Sequence, residues 1–228
     1  MKNPATVFFL GLCLLFVSPL PAQEPGIPKG TDPERLLNRP EPVSSSIVLI
    51  NDPPYAVWIR MKADVHTVIP EKLETMRSLV FAWEDYPKHF KRLKENWIER
   101  RQDGTVFKMH LSVGLMGIYY DSVYTLFARA QIDTPKKLLI EFAPLNRTEA
   151  YISEDGTVRR PLGLWYLEEI EVRGEPCTYV RYIADGEVLK KYPLQDTVMA
   201  LFVDREHQEL LKQLSRAVKK SKLNPKVK

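Results

Sequence analysis

The amino-acid sequence predicts an α+β fold in which a curved antiparallel sheet of about six or seven strands surrounds one long C-terminal helix. Apolar and polar residues alternate with a period of two over residues 57–66, which is typical of a strand with one buried face. Residues 97–183 contain a series of strand-like segments separated by turn signals. From Leu194 to Lys220, apolar residues recur at steps of three, four and seven, which places them on one face of a helix.

The composition fits one sizeable domain and is unlike that of a dedicated nucleic-acid-binding protein. With 228 residues, 44% of them hydrophobic, the chain is long enough to bury a real core. The net charge is only +4, and part of the excess lies in residues 219–228 rather than on a concentrated basic face. Such a basic end is compatible with weak contact with an anionic membrane surface. We expect a monomer.

The N-terminus predicts export. Lys2 is followed by an apolar run from Ala5 to Val17, and the small residue Ala22 stands before a polar residue. This order is typical of a signal peptide, here residues 1–22, whose cleavage after Ala22 would give a periplasmic or secreted protein. An uncleaved membrane anchor is the alternative, but the run is shorter than the ~20 residues that a span needs. The mature chain would keep one cysteine, Cys177, and so could form no internal disulfide.

The segment after the leader differs in composition from the rest of the chain. Prolines stand at positions 25, 28, 33, 40, 42, 53 and 54, so residues 23–54 are predicted to form an extended arm. Within this arm, residues 47–50 could form a small strand or pack onto the domain. The folded domain is predicted over residues 55–220, and a basic disordered tail over residues 221–228.

Within the domain, two short helices are predicted to follow the first strand. Pro70 opens the first of them, whose apolar residues continue to Val80, and the second follows at residues 86–93. A hairpin signal at residues 102–104 then joins two strands. The strands of the meander are predicted over residues 97–101, 105–113, 118–131, 137–142, 164–172 and 177–183.

Two short motifs add to this order of elements. One is the stretch from Phe81 to Phe90, which contains Asp85-Tyr86-Pro87, and the other is the strand opening from Gly163 to Leu167. Together with the order strand, paired helices, meander and long helix, they resemble the START-like (SRPBCC) superfamily. That group includes polyketide cyclases, Bet v 1-like allergens and coenzyme-Q-binding START domains. The likeness covers residues 55–220; the leader, the arm and the long stretch between Phe142 and Gly163 depart from it.

The resemblance implies a helix-grip fold, in which the sheet grips the long helix and leaves a cavity between them. It also implies a ligand that is apolar, such as a lipid, a sterol, a quinone or a polyketide. A shared fold does not determine which of these is bound.

The sequence assigns no catalytic residue, no metal site and no cofactor. Its four histidines, at positions 66, 89, 110 and 207, show no spacing typical of a zinc site. Motifs for a phosphate-binding loop or a nucleophile elbow are also missing. A general base among the strand carboxylates remains an alternative, although solvated strand faces explain them equally well; these carboxylates are Asp121, Glu168, Glu169 and Glu171.

Aromatic and sulfur-containing residues recur along the strands that should line the concave side of the sheet, as a cavity for an apolar ligand requires. They include Met109, Met116, Tyr119, Tyr120, Tyr124, Phe127, Trp165, Tyr166, Tyr179 and Tyr182. On the long strand, one alternating set is uncharged and the other carries Asp121 and Arg129, so we predict that the uncharged set faces inward. The predicted ligand-binding residues are Met109, Tyr120, Tyr124, Trp165 and Phe202 as cavity wall and Ser122 as a polar contact.

Three functions therefore stay open at this point. The first is an exported protein that binds or carries an apolar small molecule without chemistry. The second is a cyclase or aromatase that uses an inward carboxylate or tyrosine as acid or base. The third is an interaction domain whose interior is filled by ordinary core packing and whose working surface is the arm or the tail.

Overall fold

The computed structural model of the protein describes residues 25–52, 56–115, 118–144, 153 and 156–223. Within these ranges it describes all side chains except those of residues 111, 113–115, 118–120, 124, 202 and 221–223. The predicted leader, residues 1–22, lies outside the described residues.

One antiparallel sheet organises the described chain. Its strands are β1 Glu41–Asp52, β2 Ala56–Ile69, β3 Leu93–Arg101, β4 Gly104–Leu115, β5 Ile118–Asp133, β6 Lys137–Pro144, β7 Val158–Val172 and β8 Glu175–Leu189. The spatial order is β1-β2-β8-β7-β6-β5-β4-β3, so consecutive strands pair except where β2 meets β8. The helices are α1 Leu73–Val80, α2 Tyr86–His89 and α3 Gln195–Leu223, with a short 3₁₀ turn at Trp83–Asp85 before α2. This confirms the predicted α+β helix-grip arrangement.

The segment predicted as an arm differs from that expectation. Its residues 41–52 form β1, which pairs with β2 from Glu41 opposite His66 to Asp52 opposite Ala56. The sheet therefore has eight strands within the described residues, more than the predicted six or seven, and the folded part begins before residue 55. β1 is an edge strand with a register shift after Pro42, and an edge strand tolerates proline because one side of its backbone needs no partner.

The first described residues also pack onto the sheet, on the face opposite to α3. Leu36 is buried in a cluster with Val68 and Tyr179, and its carbonyl accepts a hydrogen bond from the Val68 amide at 3.0 Å. Arg181 donates from Nη1 to the carbonyl of Gly26 at 2.7 Å. The proline-containing segment is therefore extended, and it is bound to the sheet by these contacts.

Helix α3 has the predicted position and runs three residues into the predicted tail; residues 224–228 lie outside the described residues. Its C-terminal half packs tightly, because Leu211 and Leu214 are at most 1% exposed and contact the main core with Met76 and Val80 of α1. Among the described residues, no helix has the length and apolar character needed to cross a membrane.

Candidate functional site

A cavity of about 350 Å³ lies between the concave face of the sheet and the N-terminal half of α3. The concave face is set by strand alternation: on β8, Tyr182, Ala184 and Gly186 line the cavity, while Arg181 points to the opposite face. α3 adds Met199, Val203, His207 and Leu210, which recur at steps of three and four along one face of the helix. Most of the wall is apolar; other apolar members are Met61, Ala63, Leu93, Leu126, Val158, Leu162 and Val188.

An aromatic cluster contributes one part of the cavity wall, and it coincides with the motif at residues 81–90. Trp83 stacks on Phe107 with ring centroids 5.7 Å apart and meets Phe142 edge-on at 5.6 Å. Tyr86 packs against Phe90 at 4.9 Å and donates its hydroxyl hydrogen to the Val80 carbonyl at 2.7 Å. Burial raises the pKa of Tyr86 well above its usual value. Since that hydroxyl already has a partner, the cluster presents ring surface to the cavity.

The predicted site residues have three different placements. Met109 and Trp165 line the cavity. Ser122 is buried, but its hydroxyl lies 2.6 Å from the hydroxyl of Thr157, and it is not among the described residues that line the cavity. Tyr120, Tyr124 and Phe202 have side chains outside the described part of the structure, so their role stays a prediction.

Two of the aromatic residues expected on the concave side lie on the opposite face. Tyr166 and Tyr179 pack in the cluster around Leu36. The reason is the strand period of two, which sends Tyr166 to the face opposite Trp165. Conversely, Tyr182 and His207 line the cavity but are not among the predicted ligand contacts. The signal for His207 was its spacing, because it lies four residues after Val203 and three before Leu210 on the same helical face.

Four charged residues border the cavity, and each of them is ion-paired within the described structure. Arg92 holds Glu206 through two hydrogen bonds of 2.9 and 3.0 Å, which tie the start of β3 to α3. Asp185 receives two hydrogen bonds of 2.8 and 2.9 Å from Arg60. Glu187, which is almost completely buried, pairs with Arg159. Each of these carboxylates is thus compensated by an arginine, and the described residues of the wall leave no uncompensated charge.

Tyr182 and His207 place uncharged polar atoms in this apolar cavity. Their rings lie nearly parallel, with centroids 5.9 Å apart and planes at 23°, and the Tyr182 ring also contacts Trp165 at 4.6 Å. Burial raises the pKa of the Tyr182 hydroxyl to about 12 and lowers the pKa of the His207 imidazole. Both side chains are therefore neutral near pH 7.

A second polar cluster lies under the N-terminal segment, outside the cavity. Arg181 holds Asp64 through hydrogen bonds of 2.6 and 2.8 Å, and the Nδ1 atom of His66 lies 3.0 Å from the Tyr179 hydroxyl. Burial lowers the pKa of His66. Among the described residues, no three metal-binding side chains of His, Cys, Asp or Glu come together as a metal site.

Comparisons with known proteins identify the fold through structure rather than sequence. No family model and no curated protein sequence matches the chain. Human STARD10 has a similar structure, with a TM-score of 0.57 and 11% identity, and the match covers 79% of this chain and 76% of that one. The STAR-related lipid transfer protein (fragment 25–204) from Xanthomonas axonopodis is similar with a TM-score of 0.52 and 10% identity, over 76% of this chain and 98% of that one.

A third similar structure comes from an enzyme. The Zhui aromatase/cyclase from Streptomyces sp. R1128 matches with a TM-score of 0.50 and 13% identity, over 71% of this chain and 95% of that one. These likenesses confirm that the chain has a START-like helix-grip fold. At such low identity they identify the fold alone, and the ligand has to be argued from this chain's own cavity.

Proposed function

We propose that this chain, with its START-like fold, binds a lipid or another apolar small molecule in the cavity between the sheet and α3. The observation that carries the proposal is the cavity itself, a space of about 350 Å³ with a mainly apolar wall. Small-molecule sites typically have this volume range and this kind of wall, with a few polar groups that orient the ligand. A protein interior packed only for stability has few voids larger than a water molecule.

The similar structures support the same proposal, because one of them is a STAR-related lipid transfer protein that shares the helix-grip arrangement. Binding without chemistry is favoured over catalysis because the carboxylates at the cavity wall, Asp185, Glu187 and Glu206, are each engaged by an arginine. An inward carboxylate available as general acid or base, which the cyclase alternative needs, is not found among the described residues of the wall.

Native mass spectrometry of the full-length protein, followed by organic extraction, tests the proposal. We expect a bound apolar molecule, or uptake of an added nitrobenzoxadiazole-labelled lipid, in the unmodified protein. Val203→Trp should abolish this binding, because the larger side chain projects from α3 into the cavity. Leu201→Trp is the matched control, since Leu201 lies two residues earlier and is 71% exposed; it should bind as the unmodified protein does.

Circular dichroism verifies that Val203→Trp remains folded, and Ala184→Phe fills the cavity from the sheet side as an independent variant. The proposal fails if the unmodified protein carries nothing and takes up no lipid. It also fails if both filled variants bind as well as the Leu201→Trp control. Recovery of the added lipid in a chemically altered form after incubation with the protein would instead favour the cyclase alternative.

We also propose that the protein is exported, on the basis of the leader at residues 1–22, and that the exported chain is a monomer. In a host with a secretory pathway, the expected mass is that of a single chain beginning at Gln23. A chain that retains Met1 would contradict export, and a dimer mass would contradict the monomer.

We further propose that the basic end makes weak contact with anionic membranes. The protein should then co-sediment with anionic vesicles at low salt, and this co-sedimentation should disappear at high salt.

A further inference from the structure

Two of the described residues that line the cavity, Tyr182 on β8 and His207 on α3, offer a hydrogen-bonding atom beside each other. The His207 Nδ1 atom is 2.6 Å from the carbonyl oxygen of Val203. A carbonyl oxygen only accepts, so Nδ1 carries the hydrogen and donates it. In the neutral imidazole, Nε2 therefore keeps a lone pair and acts as a hydrogen-bond acceptor.

The Tyr182 hydroxyl supplies the complementary group. The hydroxyls of Tyr86, Tyr166 and Tyr179 each have a partner, whereas that of Tyr182 has none among the described residues. The same holds for the His207 Nε2 atom. A hydroxyl can donate as well as accept, so Tyr182 and His207 together offer one donor and one acceptor. Both residues line the cavity and their rings are stacked with centroids 5.9 Å apart, so the two groups border the same part of the cavity.

Space is kept open beside the Tyr182 hydroxyl by a glycine. A Cβ atom at Gly163 on β7 would lie 3.7 Å from the Tyr182 hydroxyl oxygen and 3.5 Å from the Phe142 ring. These are ordinary contact distances, so an alanine would fit the strand but would occupy the volume next to the hydroxyl. The missing side chain leaves room for a ligand group at that point.

The charges of the wall limit what that ligand group can be. Arg92 is the cationic side chain among the described lining residues, and it is held by Glu206 through two hydrogen bonds. Glu187 and Asp185, also on the wall, are paired with arginines. A carboxylate or phosphate would enter this apolar cavity with no free positive charge to compensate it, which is costly.

We propose that the cavity selects an uncharged lipid alcohol, whose hydroxyl group donates to His207 Nε2 and accepts from the Tyr182 hydroxyl. This inference rests on the proposed function and adds the ligand's chemical class. The long apolar part of the ligand then lies along the wall formed by residues such as Met109, Leu126 and Met199. No bond is made or broken, so the ligand would leave unchanged.

Three probes with the same twelve-carbon chain separate the possibilities in native mass spectrometry at pH 7.5: dodecan-1-ol, dodecyl methyl ether and dodecanoate. The ether can accept a hydrogen bond from Tyr182 but has no hydrogen to donate to His207. We expect the full-length protein to bind the alcohol about tenfold more tightly than the ether, because the ether leaves a buried acceptor unpaired. Dodecanoate, an anion at this pH, should bind more weakly than the alcohol.

Two variants assign the two hydrogen bonds. His207→Phe should reduce alcohol binding to the level of the ether and leave ether binding within about twofold of its original value. Tyr182→Phe should weaken the alcohol and the ether together, by about fivefold, because both accept from the lost hydroxyl. Tyr192→Phe makes the same chemical change at a residue that is 44% exposed and should alter neither.

A third variant tests the same site independently, in case the first two variants lose binding because they misfold. Gly163→Ala should lower alcohol binding while circular dichroism stays unchanged, because its methyl group fills the space beside the Tyr182 hydroxyl. The inference is overturned if dodecanoate binds most tightly, or if His207→Phe weakens the alcohol and the ether alike. In both of these cases apolar ligands still bind and the proposed function stands. If no probe binds at all, the proposed function fails and the inference fails with it.

Discussion

The two halves of helix α3 face the same sheet but have different neighbours. In the C-terminal half, Leu211, Leu214 and Val218 are between 0% and 4% exposed and interlock with α1 and the sheet. In the N-terminal half, taken as residues 195–210, His207 and Leu210 lie on the same apolar face of the helix and border the cavity, where Leu210 also meets the edge of the main core. One continuous apolar stripe therefore serves as core along one half and as the wall of a binding site along the other.

The difference comes from what stands opposite the helix. Helix α1 brings Leu73, Met76 and Val80 against the C-terminal half, and these side chains fill the space. The N-terminal half instead faces small residues on the strands, such as Ala184, Gly163 and Gly186. An apolar stripe therefore predicts burial, but the size of the opposing side chains decides between packing and a cavity.

Matched truncations on the two halves should give the largest difference. Leu214→Ala is expected to lower the free energy of unfolding by about 2–5 kcal/mol, because it leaves a void in a closed core. Leu210→Ala, one turn away, should cost only about 1 kcal/mol, because the side chain borders open space and loses fewer contacts. Urea denaturation of the ligand-free protein measures both.

The exposed Leu201→Ala serves as control and should change the free energy of unfolding by less than about 0.5 kcal/mol. Equal losses for Leu210→Ala and Leu214→Ala would mean that the N-terminal half is packed as tightly as the rest. The distinction between core and cavity would then disappear.

Ligand addition should act on the N-terminal half and reduce the contrast. Dodecan-1-ol at one hundred times its dissociation constant is expected to raise the free energy of unfolding by about 2.7 kcal/mol through mass action.

Hydrogen exchange should show where the ligand acts. Without ligand, the amides of residues 199–210 should exchange faster than those of residues 211–218, because local opening is easier beside a cavity. With ligand bound, the exchange rates of residues 199–210 should decrease towards those of residues 211–218. A contrast that stays the same after saturation would contradict binding against this half of the helix.

Much of the fold could be predicted because it follows from local patterns. The apolar steps along α3 and the alternation in β2 each need only neighbouring residues to be recognised. Only residues 47–50 of strand β1 were recognised as a possible strand, because Pro40 and Pro42 are typical of an extended arm and only the position at the sheet edge makes Pro42 acceptable in a strand. Edge position is a property of the whole sheet and cannot be seen in a local pattern.

The cavity could be predicted only in part, for a related reason. Met109 and Trp165 were predicted as wall residues from the aromatic and sulfur-containing side chains that recur along the strands, and both line the cavity. Ser122 has the expected burial, but its hydroxyl is directed to Thr157, a residue 35 positions away in the sequence. Likewise, the pairing of Tyr182 with His207 joins a strand and a helix, so no spacing in the sequence reveals it.

The smallest expected effect is the response of the cavity half to pH. Burial lowers the pKa of His207 below its ordinary value of 6.5, so between that value and its folded pKa the unfolded chain binds more protons than the folded one. Stability is therefore at its full value above about pH 6.5 and falls as the pH decreases. His66 and His89, whose pKa values burial also lowers, contribute in the same direction.

Urea denaturation between pH 7.5 and 5 measures this effect. The free energy of unfolding should fall less for His207→Phe than for the unmodified protein or for Tyr192→Phe. An equal fall in all three would mean that His207 takes up its proton as readily in the folded protein as in the unfolded chain. Such an imidazole would be in contact with water, and the N-terminal half of α3 would then border solvent rather than an apolar cavity.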